Sequence, residues 1–219
     1  MRLPETKAFL FDLDGTLIDT APDIHAAAND ALSAFGHDPV DLALTRRFVG
    51  RGGRMLLERV VKAQGASDVP KERIDAMYQR FLVAYEAGVA RLSKPYDGVV
   101  ETLTRLRTHH MPLAVITNKL EGLSEKLLRA LHMRDFFEVL IGFDSLPEKK
   151  PHPLPILHVC ERMGVRLAEA LFVGDSATDV AAARAAGCRI VCVNYGYSGD
   201  IAPEALGADR LISNFRELL

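Results

Sequence analysis

The chain has 219 residues, 48% of them hydrophobic, enough to bury one large core carrying a modest insertion. Its formal net charge of −2 gives no reason to expect nucleic acid or an anionic membrane surface as a partner. No apolar run approaches the roughly 20 residues of a membrane span. The first seven residues are polar and lack a signal-peptide stretch, so a soluble cytoplasmic protein is expected.

Ala8–Phe11 is a short apolar run that ends in an acid and reads as a buried strand. From about Asp19 to Ser93 only helical signals follow. Thr20-Ala21-Pro22-Asp23 reads as an N-cap with an acid three residues on, opening an Ala-rich helix that ends near Gly36. Amphipathic segments follow over Leu42–Val49, Met55–Ala63 and Lys71–Ala87. Beyond Pro95 strands and helices alternate. The strands are Leu113–Ile116, Val139–Ile141, Ala170–Val173, Ile190–Val193 and, more weakly, Arg210–Ile212. The helices are Val99–Thr108, Leu123–Leu131, Pro155–Met163 and Ala177–Ala186.

Strands without polar alternation, separated by helices, imply βαβ units and a doubly wound parallel α/β sheet covered on both faces. Residues 1–18 and 94–219 then form the core domain, and 19–93 a small helical cap subdomain inserted after the first strand. Its hinges are expected at Leu17–Asp19 and Ser93-Lys94-Pro95. Cys160, Cys188 and Cys192 lack a disulfide framework spacing and read as buried small hydrophobes. The histidines have no zinc spacing: His109 and His110 read as a polar turn, His25 as a cap-helix surface residue, and His152 as a neighbour of Lys150 by connectivity.

The strongest chemical signal is Asp12-Leu13-Asp14-Gly15-Thr16 at the end of the first strand. Residues two apart on extended backbone point the same way, so Asp12 and Asp14 project together from the edge where such sheets bind ligands. Paired carboxylates repel unless a proton or cation relieves them, and a hard cation such as Mg²⁺ suits oxygen donors. Gly15 permits backbone to turn close to a ligand. The plainer alternative is a strand-end Asp turn.

This segment resembles the first motif of the haloacid dehalogenase superfamily, Asp-x-Asp-Gly-Thr, and the family's other motifs follow in order. Leu113–Ile116 runs into Thr117-Asn118-Lys119, similar to the second motif, in which the hydroxyl and backbone N–H groups bind phosphate; Thr117 also reads as a helix N-cap. Lys149-Lys150-Pro151-His152-Pro153 matches the Lys-Pro-x-Pro form and selects Lys150, whereas adjacent loop lysines are ordinarily solvated. Gly174-Asp175-Ser176-Ala177-Thr178-Asp179 matches Gly-Asp-x-x-x-Asp. Asp179 fits both support of the metal ligands and a capping box with Ser176.

The resemblance implies a Mg²⁺-dependent phosphatase. Asp12 is the expected nucleophile and passes through an aspartyl-phosphate, while Asp14 serves as acid and base. Asp12, Asp175 and the Asp14 carbonyl are the expected metal ligands, with Lys150, Thr117 and Asn118 on phosphate. Dehalogenases and P-type pumps of this superfamily lack an acid at the Asp14 position, so its presence favours phosphatase or mutase. Leu17–Ile24, Val49-Gly50-Arg51-Gly52 and Asn194-Tyr195-Gly196-Tyr197-Ser198 look like the phosphoglycolate phosphatase group. Arg51 or Arg54 is then expected on a substrate carboxylate, against the alternative that both face solvent. Competing readings are a phosphosugar mutase, a sugar-phosphate or pyrophosphate phosphatase, a receiver-type signalling domain and a silent binding module. The implied partner is a small phosphorylated metabolite, and the implied assembly a monomer or homodimer.

Overall fold

The computed structural model describes residues 6–66 and 69–219; the first five residues, part of the polar start considered above, lie outside the described residues. Six strands form one parallel sheet: β1 (Ala8–Phe11), β4 (Leu113–Ile116), β5 (Val139–Ile141), β6 (Ala170–Gly174), β7 (Arg189–Val193) and β8 (Arg210–Ile212). Their order is β5-β4-β1-β6-β7-β8. The chain therefore builds outward from β1 to one side, then returns to build on the other side. The direction of winding changes at β1, and the crevice beyond its carboxyl end is where sheets of this kind receive ligands.

Period-two geometry explains why the strands carry no polar alternation. Phe9 and Phe11 project into one core cluster with Leu113, Val115, Leu171 and Val173. Leu10 projects into the other with Ala114, Ile116, Ala170 and Phe172. Helices α5 (Val99–Thr108) and α6 (Glu121–Ala130) close the first face, and α7 (Leu154–Arg162) and α8 (Ala177–Ala186) the second. All three cysteines are free and buried in the second cluster.

Between β1 and α5 lie a two-residue strand β2 (Ile18–Asp19), four helices, and a second two-residue strand β3 (Lys94–Pro95). The helices are α1 (Ala21–Ala34), α2 (Leu42–Phe48), α3 (Gly53–Ala63) and α4 (Lys71–Gly88). They enclose their own apolar cluster, built on Leu32, Leu57, Val60, Met77 and Phe81. β2 and β3 pair antiparallel, Ile18 with Pro95 and Asp19 with Lys94, so both chain crossings into the helical segment lie side by side.

α1 starts where the sequence reading put it, with Thr20 at the N-cap and Asp23 in the first turn, but the expected capping bonds do not form. Thr20 makes no side-chain cap, and Asp23 does not reach back to it. Asp23 is instead buried and accepts from Leu92 N at 2.9 Å, Ser93 N at 2.8 Å and Ser93 Oγ at 2.6 Å. A carboxylate satisfied by the far end of the helical segment has no need of the local cap. Among the described residues no helix is long and apolar enough to cross a membrane.

Candidate active site

The site is assembled from four strand-end loops. Asp12 follows β1 directly, and its backbone N donates to Val173 O, which locks it beside β6. Asp175 and Asp179 follow β6. One carboxylate oxygen from each of Asp12, Asp175 and Asp179 lies within 4.8 Å of the others, and all three residues are buried. Lys150 reaches them from the loop after β5. Its Nζ donates to Asp12 Oδ1 at 2.6 Å and to Asp179 Oδ1 at 2.7 Å.

Asp179 holds two positions at once. Its Oδ2 accepts from Ser176 N and Ser176 Oγ, closing the capping box that starts α8, while Oδ1 serves Lys150. Asp175 is fixed by Thr16 Oγ1 at 2.9 Å on one oxygen and by the backbone N–H of Tyr197 on the other. Glycine is required where these loops meet. A Cβ on Gly15, at φ +92°, would lie 2.3 Å from Asp175 Oδ2, and a Cβ on Gly196 would lie 2.3 Å from Asp175 Cβ.

Electrostatically the cluster is short of positive charge. Burial drives the Asp12 carboxyl up to about 7; Lys150 opposes this shift and Asp179 reinforces it. Asp175 is raised for the same reasons, burial first and then Asp12 and Asp179. Burial disfavours the Lys150 ammonium, but Asp12 and Asp179 outweigh it and raise its pKa. Three buried carboxylates around one ammonium, all hard oxygen donors, match what a divalent cation requires.

Asp14 lines a cavity together with Asp12, and its carboxylate is held by Lys119 and not by Lys150. Lys119 Nζ donates to both its oxygens, at 2.8 and 2.9 Å. The cavity measures about 280 Å³ and is walled by the β1 and β4 loops on one side and by α3, α4 and residues 49–52 on the other. Tyr78, Phe81 and Tyr85 stack along one face of α4 in its wall. Thr117 is buried and does not cap α6, whose N-cap is Leu120; its Oγ1 accepts from Lys119 N. Asn118 Nδ2 donates to Gly50 O and to Lys150 O.

Arg51 and Arg54 both line the cavity but differ in their commitments. Arg54 Nε donates to Asp75 and its Nη1 to Glu58, whereas Arg51 is exposed and no carboxylate pairs with it among the described residues. The histidines stay outside: His25 bonds Thr45 and Asn29 between α1 and α2, and exposed His152 accepts from Leu154 N. Sequence reasoning passed over Lys119, Thr16, Tyr85 and Tyr197 as site residues. Lys119 directly follows Thr117-Asn118, the one local hint that it belonged to the site.

The sequence profile of the haloacid dehalogenase-like hydrolase family matches residues 9–193. The chain belongs to this family and is a hydrolase. It is 40% identical over 218 residues to a phosphoglycolate phosphatase of Chromobacterium violaceum, covering 100% of this chain and 97% of that one. It is 42% identical over 208 residues to a phosphoglycolate phosphatase of Caulobacter vibrioides, covering 95% and 87%. The crystal structure of a predicted phosphoglycolate phosphatase from Haemophilus somnus superposes with a TM-score of 0.92 at 30% identity, covering 98% of this chain and 96% of that one.

Proposed function

We propose that this chain is a Mg²⁺-dependent phosphatase that hydrolyses a small phosphate monoester, 2-phosphoglycolate first among candidates, through a phosphorylated Asp12. The observation that carries this reading is the buried Lys150 ammonium bridging Asp12 and Asp179, with Asp12 itself lining a cavity of only about 280 Å³. A cation so held is set to meet phosphate oxygens next to a carboxylate nucleophile.

Asp12, Asp175 and the Asp14 backbone carbonyl would hold the Mg²⁺, with Asp179 supporting them from the α8 cap. When bound, the ion offsets charge on the phosphate oxygens and on the carboxylate cluster. Asp12 attacks phosphorus as the ester P–O bond breaks, and Asp14 gives its proton to the departing alkoxide. Asp14 then takes a proton from the water whose oxygen attacks phosphorus, the bond to Asp12 breaks, and phosphate leaves. Thr117, the backbone at Asn118 and Lys150 hold the phosphate oxygens.

Residues 19–93 act as a cap over a core of 1–18 and 94–219, with β2 and β3 as paired hinges. The separate apolar cluster of the four helices supports this division. Arg51, which no carboxylate engages among the described residues, is suited to a substrate carboxylate; Arg54, held by Asp75 and Glu58, shapes the wall. The near-full-length likeness to phosphoglycolate phosphatases supports the same substrate. Three free cysteines fit a reducing cytoplasmic compartment. The test is phosphate release from 2-phosphoglycolate with Mg²⁺ and with chelator. Asp12→Asn should abolish turnover while leaving the fold intact, and full activity in that variant would refute the reading.

A further inference from the structure

Lys119 Nζ is buried between two elements that meet only when the helical segment sits on the core. Below it lies the Asp14 carboxylate, bound through both oxygens at 2.8 and 2.9 Å. Above it lies the ring of Tyr85 on α4, its centroid 4.7 Å from Nζ. Tyr85 is itself 2% exposed and stacked on Phe81, so its ring face has little freedom to move independently of α4. Neither Lys119 nor Tyr85 is needed to hold phosphate or metal in the reading above.

We infer that Lys119 is a positioning residue: the Tyr85 ring seats it, and it in turn fixes the orientation of the Asp14 carboxylate, so that cap seating sets the acid–base group. This rests on the proposed function, in which Asp14 removes the proton from the attacking water. The ammonium grips both Asp14 oxygens and removes side-chain rotation that would turn the carboxylate off that water. The ring face offers the ammonium an attraction that depends on α4 being in place.

The step that depends most on Asp14 is the second one, attack of water on phosphorus with cleavage of the bond to Asp12. With p-nitrophenyl phosphate the departing phenolate needs no proton, so the first step is spared. Lys119→Met should therefore lower steady-state turnover of this substrate about 30-fold or more, within the range of a general base. The initial burst of p-nitrophenolate should stay within threefold of wild type in rate and approach one per active site. Lys119→Arg should recover much of the steady-state rate. Tyr85→Leu should reproduce the Lys119→Met pattern, Tyr85→Phe should stay within threefold of wild type, and the Lys119→Met/Tyr85→Leu pair should be no worse than Lys119→Met alone.

A fall in burst rate parallel to the steady-state rate, or a steady-state rate within threefold of wild type in Lys119→Met, would overturn the inference. Asp12→Asn is run alongside. Wild-type turnover in that variant means the proposed route through a phosphorylated Asp12 has failed; its silence, with an unimpaired Lys119→Met, means that only the present inference has.

Discussion

Lys150 and Asp12 form a buried ion pair, Nζ to Oδ1 at 2.6 Å, between loops 138 residues apart in sequence. The same Nζ is shared with Asp179, so one ammonium holds the ends of β1 and β6 together. Replacing one partner of such a pair leaves the others uncompensated in a dry environment, at a cost of roughly 3–5 kcal/mol. Lys150→Met is therefore expected to lose stability on that scale in urea titrations run in chelator. Added Mg²⁺ should restore part of it by compensating the carboxylates, yet turnover should stay at least about 100-fold down for lack of the phosphate contact.

The acidic cluster makes a pH prediction with a definite sign. Burial raises the Asp12 carboxyl from 3.8 to about 7, so between those values the folded protein keeps a proton that the unfolded chain has lost. The stability this contributes is complete below 3.8 and disappears as pH rises through about 7. In chelator, the melting temperature of wild type relative to Asp12→Asn should fall between pH 5 and pH 8. Mg²⁺ should stabilise wild type more at pH 8 than at pH 5, because binding must displace that proton. A pH-independent difference between the two proteins would contradict the account.

Steric closure around Asp175 gives a sharper test of the site's geometry. A methyl on Gly196 would meet Asp175 Cβ at 2.3 Å and Oδ2 at 2.5 Å, and neither the strand end nor the buried carboxylate, held by Thr16 and Tyr197, can yield cheaply. Gly196→Ala should cost about 1–3 kcal/mol by overpacking. Its loss of Mg²⁺ affinity in calorimetry should exceed that of a surface substitution by an order of magnitude or more. Unchanged affinity would show that Asp175 can move without harm to the metal site.

Much of the fold was legible because its signals are local. Ala8–Phe11 and Leu113–Ile116 are apolar at every position, the mark of strands covered on both faces, and the structure forms both over the same residues. Asp12, Asp175 and Asp179 were legible as site candidates because they closely follow apolar strands, whereas Lys150, an ordinary loop lysine by itself, was legible only through its likeness to the Lys-Pro-x-Pro form. What escaped depends on partners distant in sequence. Asp23 resembles a capping residue until Leu92 and Ser93 are seen beside it. Arg54 and Arg51 look equivalent until Asp75 arrives from α4 to claim one of them. Lys119 reads as a loop lysine until folding buries it against Asp14.

Arg51 and Arg54 should separate in kinetics. Arg51→Ala is expected to raise KM for 2-phosphoglycolate by about tenfold or more, the scale of a charge-assisted contact, while barely changing KM for p-nitrophenyl phosphate, which has no carboxylate. Arg54→Ala should shift KM less. It should instead lower stability by up to about 1 kcal/mol, since its pairs with Asp75 and Glu58 are partly exposed. Equal effects of Arg51→Ala on both substrates would remove Arg51 from carboxylate recognition.

Asp23 predicts how firmly the helical segment is anchored. Its carboxylate accepts from Leu92 N, Ser93 N and Ser93 Oγ, tying the first turn of α1 to the residues that lead into β3. Asp23→Ala would strand two backbone donors at a buried junction, for about 2–4 kcal/mol. Asp23→Asn keeps one acceptor oxygen and should cost less than half of that. Because this clamp lies beside the β2–β3 pairing rather than in the cavity, its loss should act first on the local structure there. Amide exchange at Leu92, Ser93 and Lys94 should quicken in Asp23→Ala under conditions where the β1 and β6 amides stay protected. Unaltered protection at Leu92 and Ser93 would mean that the β2–β3 pairing alone holds this junction. Faster exchange throughout the sheet would mean that the helical segment and the sheet unfold as one unit.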